Sequence, residues 1–466
     1  MAGLLSKERI VARPGFNRWL IPPCALATHL CIGQAYALSV FNLPLTRQLG
    51  VSRSIAGDWR LTQLGWIFTI AIFVLGASAA VFGKWVQSAG PRKSGVVAAL
   101  CWGAGFLVGA AGVQTHQLWL VYLGYGVLGG CGLGIGYITP VSTLIAWFPD
   151  RRGMSTGMAI MGFGGGALIA SPLSDYLMRH FSSETSTGVA ASWVVLGIIY
   201  LVFMMGGAFG YRLPAENWRP QAKGKTWTPP AEETHTLVTR QNVTPSDAIR
   251  TPQFWLLWVV LCLNVTAGIG VLGQASAMIQ EMFKGRITPS AAAGFVGLLS
   301  IFNMAGRFGW ASLSDKIGRK ATYMCFFVLG TALYALVPLT GKIDNAAGSV
   351  ALFVACFCII ISMYGGGFST IPAYLADVFG AKYVSAVHGR LLTAWSAAGV
   401  LGPVLVNYIR ELQIAHGIPK SQAYNVTMYI MALLLVIGFF ANLAVRPVAE
   451  RFYEHPRPIG GRPVTA

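Results

Sequence analysis

Residues 134–148 read GIGYITPVSTLIAWF, and residues 365–379 read GGGFSTIPAYLADVF. Each stretch opens on two glycines two positions apart, continues with an aromatic (Tyr137, Phe368) and ends in Phe. The same offset of 231 residues carries Pro172 of SPLSDY onto Pro403 of GPVLVNY. Two further echoes are GQAYA at 33–37 against GQASA at 273–277, and GKWVQSAGPRK at 83–93 against ASLSDKIGRK at 311–320. The chain reads as two halves of one pattern. Parallel repeats related by an axis along the membrane normal are a transporter architecture in which the site lies at the repeat interface.

Composition places both halves in lipid. Of 466 residues, 55% are hydrophobic and 11% charged, less than half the charge of a soluble domain (about 25%). The 56 glycines and 23 prolines suit helices packed in a bilayer. A transmembrane helix needs about 20 mostly apolar residues. Stretches free of Asp, Glu, Lys and Arg run 19–46, 61–83, 94–149, 153–174, 185–211 and 251–280, then 287–306, 321–341, 345–376, 391–409 and 421–445. The stretch 94–149 holds two spans, split at Gln114-Thr115-His116-Gln117. The expectation is an all-α integral membrane protein with twelve transmembrane helices in two six-helix bundles. Its parts are an N-terminal segment 1–18, a bundle 19–212, a linker 213–250, a second bundle 251–445 and a tail 446–466.

The first span is expected to be retained, because its apolar run exceeds a signal-peptide core. The net charge of +18 reflects loops rather than nucleic-acid binding. With the N-terminus inside, 24 of the 34 Lys and Arg fall on the inner side, so both termini are expected in the cytoplasm and the chain in the cell inner (plasma) membrane. Eight cysteines lie in apolar runs without zinc spacing and read as small buried hydrophobes. No metal and no cofactor is expected.

ASLSDKIGRK resembles the loop signature of the major facilitator superfamily, with Asp315 and Arg319 on the pattern, Ala311 where glycine is usual, and Gln87 at the acidic position of the first-half copy. Within that superfamily, WFPDRRGMSTG at 147–157 and YGGGFSTIPAYLADVFG at 364–380 resemble the oxalate/formate antiporter family, which is related to the monocarboxylate transporters. The resemblance implies a secondary transporter and points to a basic residue of the eighth helix as the anchor of an anionic substrate.

Arg307 is that residue. It lies eight positions before Asp315, ~12 Å along a helix, which is near the middle of a ~30 Å hydrocarbon core. An ionisable side chain there has a partner or a function, and a guanidinium fork suits a carboxylate; the bland alternative is a structural arginine bonded to backbone carbonyls. In the monocarboxylate transporters that this chain resembles, an aspartate serves proton coupling one turn earlier; here it is Asn303. The lysine that the resembling oxalate exchanger carries in its eleventh helix is matched by Ala398. One cation matches one carboxylate, so monocarboxylates of the formate, lactate or pyruvate type are favoured over oxalate. The partner is then a small organic anion, with a coupled proton or a counter-anion.

Gln34, Tyr36, Tyr137 and Trp395 are candidate pocket residues, since amides and hydroxyls donate to carboxylates and rings wall off a small anion; ordinary packing is the equal alternative for each. His29 reads as a neutral packed histidine. Asp175 and Asp377 read as interfacial residues. Asp150, Arg151, Arg152, Asp315 and Arg319 read as a conformational latch at the cytoplasmic ends. GGCGLGIG at 129–136 and GFGGGA at 162–167 lack the Lys-Ser/Thr of a phosphate loop and read as close-packing stripes. No HExxH string occurs, which disfavours a metalloprotease-type enzyme. An oxalate/formate-type exchanger and a non-transporting anion sensor are the alternatives to monocarboxylate transport.

Overall fold

The computed structural model describes residues 3–222, 225–228, 237–341, 343 and 345–454. The expectations for the middle of the linker and for the proline-containing end of the tail (Pro456, Pro458, Pro463) lie outside these residues.

Among the described residues twelve long helices follow one another: α1 Arg18–Phe41, α2 Leu61–Ala89, α3 Pro91–Gln114, α4 Leu118–Trp147, α5 Arg152–Phe181 and α6 Val189–Gly210, then α7 Pro252–Met282, α8 Pro289–Ile317, α9 Arg319–Thr340, α10 Ala346–Phe379, α11 Val384–Ala415 and α12 Asn425–Leu443. Eleven are long and apolar enough to cross a membrane by composition alone; α8, the helix of Arg307, is the other. Their outer faces carry exposed Trp66, Phe73, Val81, Phe203, Val328, Leu433 and Phe440, a surface that fits hydrocarbon and not water. The only sheet among the described residues is a two-residue antiparallel pair in the linker, Gln221–Ala222 with Lys225–Thr226.

Local sequence sets the helix ends. Prolines stand at the first turns of α3, α7 and α8, where their missing N–H costs nothing. Thr251, Thr288 and Asn345 cap α7, α8 and α10 through side-chain oxygens, satisfying amide groups that a helix start leaves open. Gly318, at φ +86, alone joins α8 to α9, a left-handed conformation that other residues adopt only with strain. The split after Gln114 falls where the sequence placed it.

Two departures from regular α-helix matter later. α1 narrows to three residues per turn over Gly33–Phe41, and α4 widens over Tyr122–Gly129.

Helices α1–α6 pack round Trp102, Phe106, Tyr125 and Trp193, and α7–α12 round Tyr323, Phe326, Phe327 and Tyr374. Both ends of the described chain return to one face. Val11 bridges to Leu213, and Val243 to Tyr453, so the N-terminal segment, linker and C-terminal segment share what is called here the linker face. The halves meet mainly along α5 against α8 and α10, and α2 against α11.

Candidate functional site

α5 approaches α8 through glycine. A Cβ at Gly157 would lie 2.8 Å from the Arg307 carbonyl oxygen, and one at Gly164 would lie 3.0 Å from Arg307 Nε. The glycine string read as a packing stripe therefore makes the space in which the Arg307 side chain lies. That side chain is fully buried at the seam between the halves. Its Nε donates to Asn303 Oδ1 at 3.0 Å, and Nη1 donates to the Ile160 carbonyl of α5 at 3.4 Å. Nη2 is buried without a hydrogen-bond partner. No carboxylate pairs with this guanidinium among the described residues.

Aromatic rings close round it. Arg307 Cζ lies 5.7 Å from the ring centre of Phe163 and 5.4 Å from that of Phe368, within cation–π range. Trp395 stands 4.6 Å from Phe368 and 5.4 Å from both Phe163 and Tyr137. Tyr36 meets Phe163 edge-on at 5.0 Å, and its hydroxyl reaches the Tyr364 hydroxyl across the seam at 3.2 Å. Both halves thus contribute to one cage, with Tyr36, Tyr137 and Phe163 from the first and Tyr364, Phe368 and Trp395 from the second. The Tyr137 hydroxyl and Trp395 Nε1 are, like Arg307 Nη2, buried donors without a partner. An unpaired buried donor costs about 1–3 kcal/mol, and three of them belong to residues of this cage.

The structure brings Arg307, Asn303, Tyr36, Tyr137 and Trp395 together but does not bring Gln34 to them. Gln34 Oε1 accepts from the Tyr125 hydroxyl at 3.0 Å, inside the aromatic cluster of the first bundle. Positions two apart lie about 200° round an α-helix and about 240° round at three residues per turn, so with either pitch Tyr36 facing the seam leaves Gln34 facing away from it. Phe163, Tyr364 and Phe368 were not among the sequence candidates. Phe368 was legible, because the 231-residue offset makes it the counterpart of Tyr137. His29, read as packed and neutral, sits behind Tyr137 with its ring centre 5.3 Å away.

A second constellation lies at the linker face. Asp377 accepts from Arg152 at 2.8 Å across the seam and from Arg319 Nε at 3.0 Å. Arg319 Nη2 also reaches Asp315 at 2.6 Å. The Asp315 carboxylate in turn accepts from the backbone N–H groups of Gly153 and Met154, each at 2.8 Å. Asp315 therefore caps the start of α5 from the opposite half, at the positive end of that helix. Arg152, Asp315 and Arg319 make contacts that join the halves, and Asp377, read in the sequence as interfacial, is the carboxylate between the two arginines. Asp150 and Arg151 stand apart. Asp150 holds Arg18 of its own half through two bonds of 2.6 and 2.9 Å, and Arg151 is largely exposed, 4.0 Å from Asp150. A reversal of chain direction between residues 150 and 152 separates side chains that are adjacent in sequence.

Among the described residues no group of three or more His, Cys, Asp or Glu side chains is placed to hold a metal ion. A cavity of about 870 Å³ opens beside this cluster, lined by Arg152, Asp315, Arg319 and Asp377 together with linker residues 237–240.

Known proteins agree with this architecture. The chain is 27% identical to the oxalate:formate antiporter of Oxalobacter formigenes, covering 92% of both chains. It is 20% identical to human monocarboxylate transporter 14, over 90% of this chain and 88% of that one. Its backbone matches a bacterial homologue of the iron transporter ferroportin with a TM-score of 0.64 at 14% identity, over 91% of this chain and 98% of the other. Residues 24–403, and again 287–465, match the Major Facilitator Superfamily. Two six-helix halves meeting at a buried cage, with an ion-pair cluster joining them at the linker face, are how this chain carries the family's pattern: it belongs to the Major Facilitator Superfamily and is a multi-pass membrane transporter, not an enzyme.

Proposed function

We propose that this transporter carries small organic anions, monocarboxylates of the formate, lactate and pyruvate type, by alternating access of its two halves. Arg307 binds the carboxylate. The observation that carries this reading is a fully buried guanidinium at the seam, without an acidic partner and with Nη2 unpaired among the described residues. The Tyr137 hydroxyl and Trp395 Nε1 supply further donors, Asn303 holds the guanidinium in place, and Tyr36, Phe163, Tyr364 and Phe368 exclude water. One net cation and the apolar Ala398 favour a single negative charge, since a dianion leaves a charge uncompensated at a cost of several kcal/mol. The carboxylate transporters among the relatives support the substrate class. The linker face is read as cytoplasmic from its lysines and arginines, and the latch as the closure of that side.

Counterflow in proteoliposomes tests the reading, with labelled formate, lactate, pyruvate and oxalate offered separately. Monocarboxylates are expected to exchange, and Arg307→Ala to abolish exchange in protein that still elutes as a monodisperse species. Oxalate exchange as fast as that of the monocarboxylates overturns the one-charge argument; unchanged exchange in Arg307→Ala overturns the anchor.

A further inference from the structure

We propose that His29 is the proton-binding residue of this transport cycle. The inference rests on Arg307 as the carboxylate anchor and extends it to the coupling ion. Both nitrogens of the buried His29 ring face backbone carbonyl oxygens: Nδ1 lies 2.6 Å from the Ala159 carbonyl of α5, and Nε2 lies 3.2 Å from the Tyr137 carbonyl of α4. A carbonyl oxygen only accepts, and a neutral imidazole has one N–H. Neutral His29 therefore aims a lone pair at an oxygen, whereas the imidazolium donates to both. The two acceptors favour the proton-loaded form, against the cost of holding its charge in a fully buried ring; the seat of the proton is then a ring nitrogen rather than a carboxylate, which fits the neutral Asn303 beside Arg307.

Neighbouring charge shifts that balance. From α8, Arg307 acts on His29 as a neighbouring cation, and from α11 His388 lies within electrostatic reach. Tyr137 of α4 stacks against the ring, Tyr211 at the end of α6 bonds the adjacent Thr28, and α5 presents no titratable side chain over residues 157–166. His29 and Arg307 also occupy consecutive carbonyls of α5, those of Ala159 and Ile160. With the cage empty, the Arg307 cation opposes a second positive charge. A carboxylate on Arg307 cancels it and lets the two carbonyls draw a proton onto His29. Each ligand then raises the affinity for the other by the same factor, which is the requirement for moving one proton with one anion. The proton is taken from water on one face and returned to water on the other, with no other bond made or broken.

The test uses the full chain in proteoliposomes and labelled pyruvate, comparing counterflow at equal pH with accumulation driven by an acid exterior. Wild type is expected to accumulate up to about tenfold per unit of pH gradient, the limit for one proton per anion. His29→Gln is expected to lose acid-driven accumulation to a far greater extent than counterflow, and His388→Gln to keep both. Wild-type counterflow without acid-driven accumulation, a His29→Gln protein that still accumulates, or coupling lost in His388→Gln instead, overturns the assignment. Absence of carboxylate counterflow in wild type brings down the anchor reading itself, and this one with it. Should His29→Gln fail to fold, nitrogen NMR of histidine-labelled wild type decides: pyruvate is expected to convert one imidazole to the doubly protonated form, in His388→Gln protein as well, and no such change overturns the proposal.

Discussion

Asn303 sits one helical turn before Arg307 and hydrogen-bonds its Nε at 3.0 Å, so the residue type at 303 decides whether the guanidinium faces the cage as a net charge. An aspartate there would pair with Arg307 within one helix and compete with any substrate carboxylate. Asn303→Asp is therefore expected to weaken anion affinity by roughly tenfold or more at neutral pH, the scale of one charged hydrogen bond. Affinity is expected to return as acid protonates the new side chain; an affinity that is equal to wild type at neutral pH contradicts this. Tyr137 offers the converse case. Its hydroxyl has no partner, so Tyr137→Phe removes an orphaned polar atom, and thermal unfolding is expected at an unchanged or slightly higher temperature. The half-saturation concentration for the anion should nevertheless rise by about tenfold. A loss of stability with unchanged affinity would show that the hydroxyl serves packing and not substrate.

At the scale of the helix, α5 does two separate jobs with one face. Gly157 and Gly164 give α8 and Arg307 their room, and the first N–H groups of α5 are capped by Asp315 from the other half. Asp315→Ala strips two charge-assisted bonds from the closed seam and leaves Arg319 with Asp377 and the Ser314 hydroxyl. Such bonds contribute about 1.5–3 kcal/mol each. A cysteine replacing Thr156, whose hydroxyl now bonds the Ser369 carbonyl inside that seam at 2.6 Å, should be labelled from the linker side at least tenfold faster when Asp315→Ala is added. Equal labelling rates would mean that the carboxylate does not hold the seam. The sequence made much of this element legible, because GFGGGA without a phosphate-loop lysine leaves close packing as the physical reading, and Asp315 and Arg319 stand in a recognisable loop. What it withheld is distance and rotation. Asp377 meets Arg152 225 residues away, a pairing that no local pattern encodes. Gln34 and Gln274 share the string GQA, but a shared string does not fix the direction in which a side chain points, and Gln34 points to Tyr125 inside its own bundle. Asp150, Arg151 and Arg152 read as one charged run, but the start of α5 within that run sends them to three different surroundings.

Across the whole molecule the duplication is visible but the two seams are not equal. In the second half Asp315 of ASLSDKIGRK caps α5 of the first. The first-half loop carries Gln87 at that position, and its Nε2 donates to the Lys382 carbonyl just before α11 at 2.5 Å. One seam is thus closed by a carboxylate at a helix start within a cluster of two arginines, the other by a neutral amide on a carbonyl. Charge-assisted bonds are roughly twice as strong as neutral ones, and a helix N-terminus adds about 0.3–1 kcal/mol for a nearby anion. If the halves rock about the cage between them, the α5 seam is the one that sets how long the linker face stays shut. Gln87→Ala should then speed labelling of a cysteine placed at Ala386, beside Gly83 on the α2–α11 seam, by several-fold less than Asp315→Ala speeds labelling at position 156. Equal accelerations would mean that the seams share the load and that the acidic residue missing from the first-half loop has no consequence for the cycle. A larger effect of Gln87→Ala would place the controlling contact on α11, the helix that also carries Trp395 into the cage.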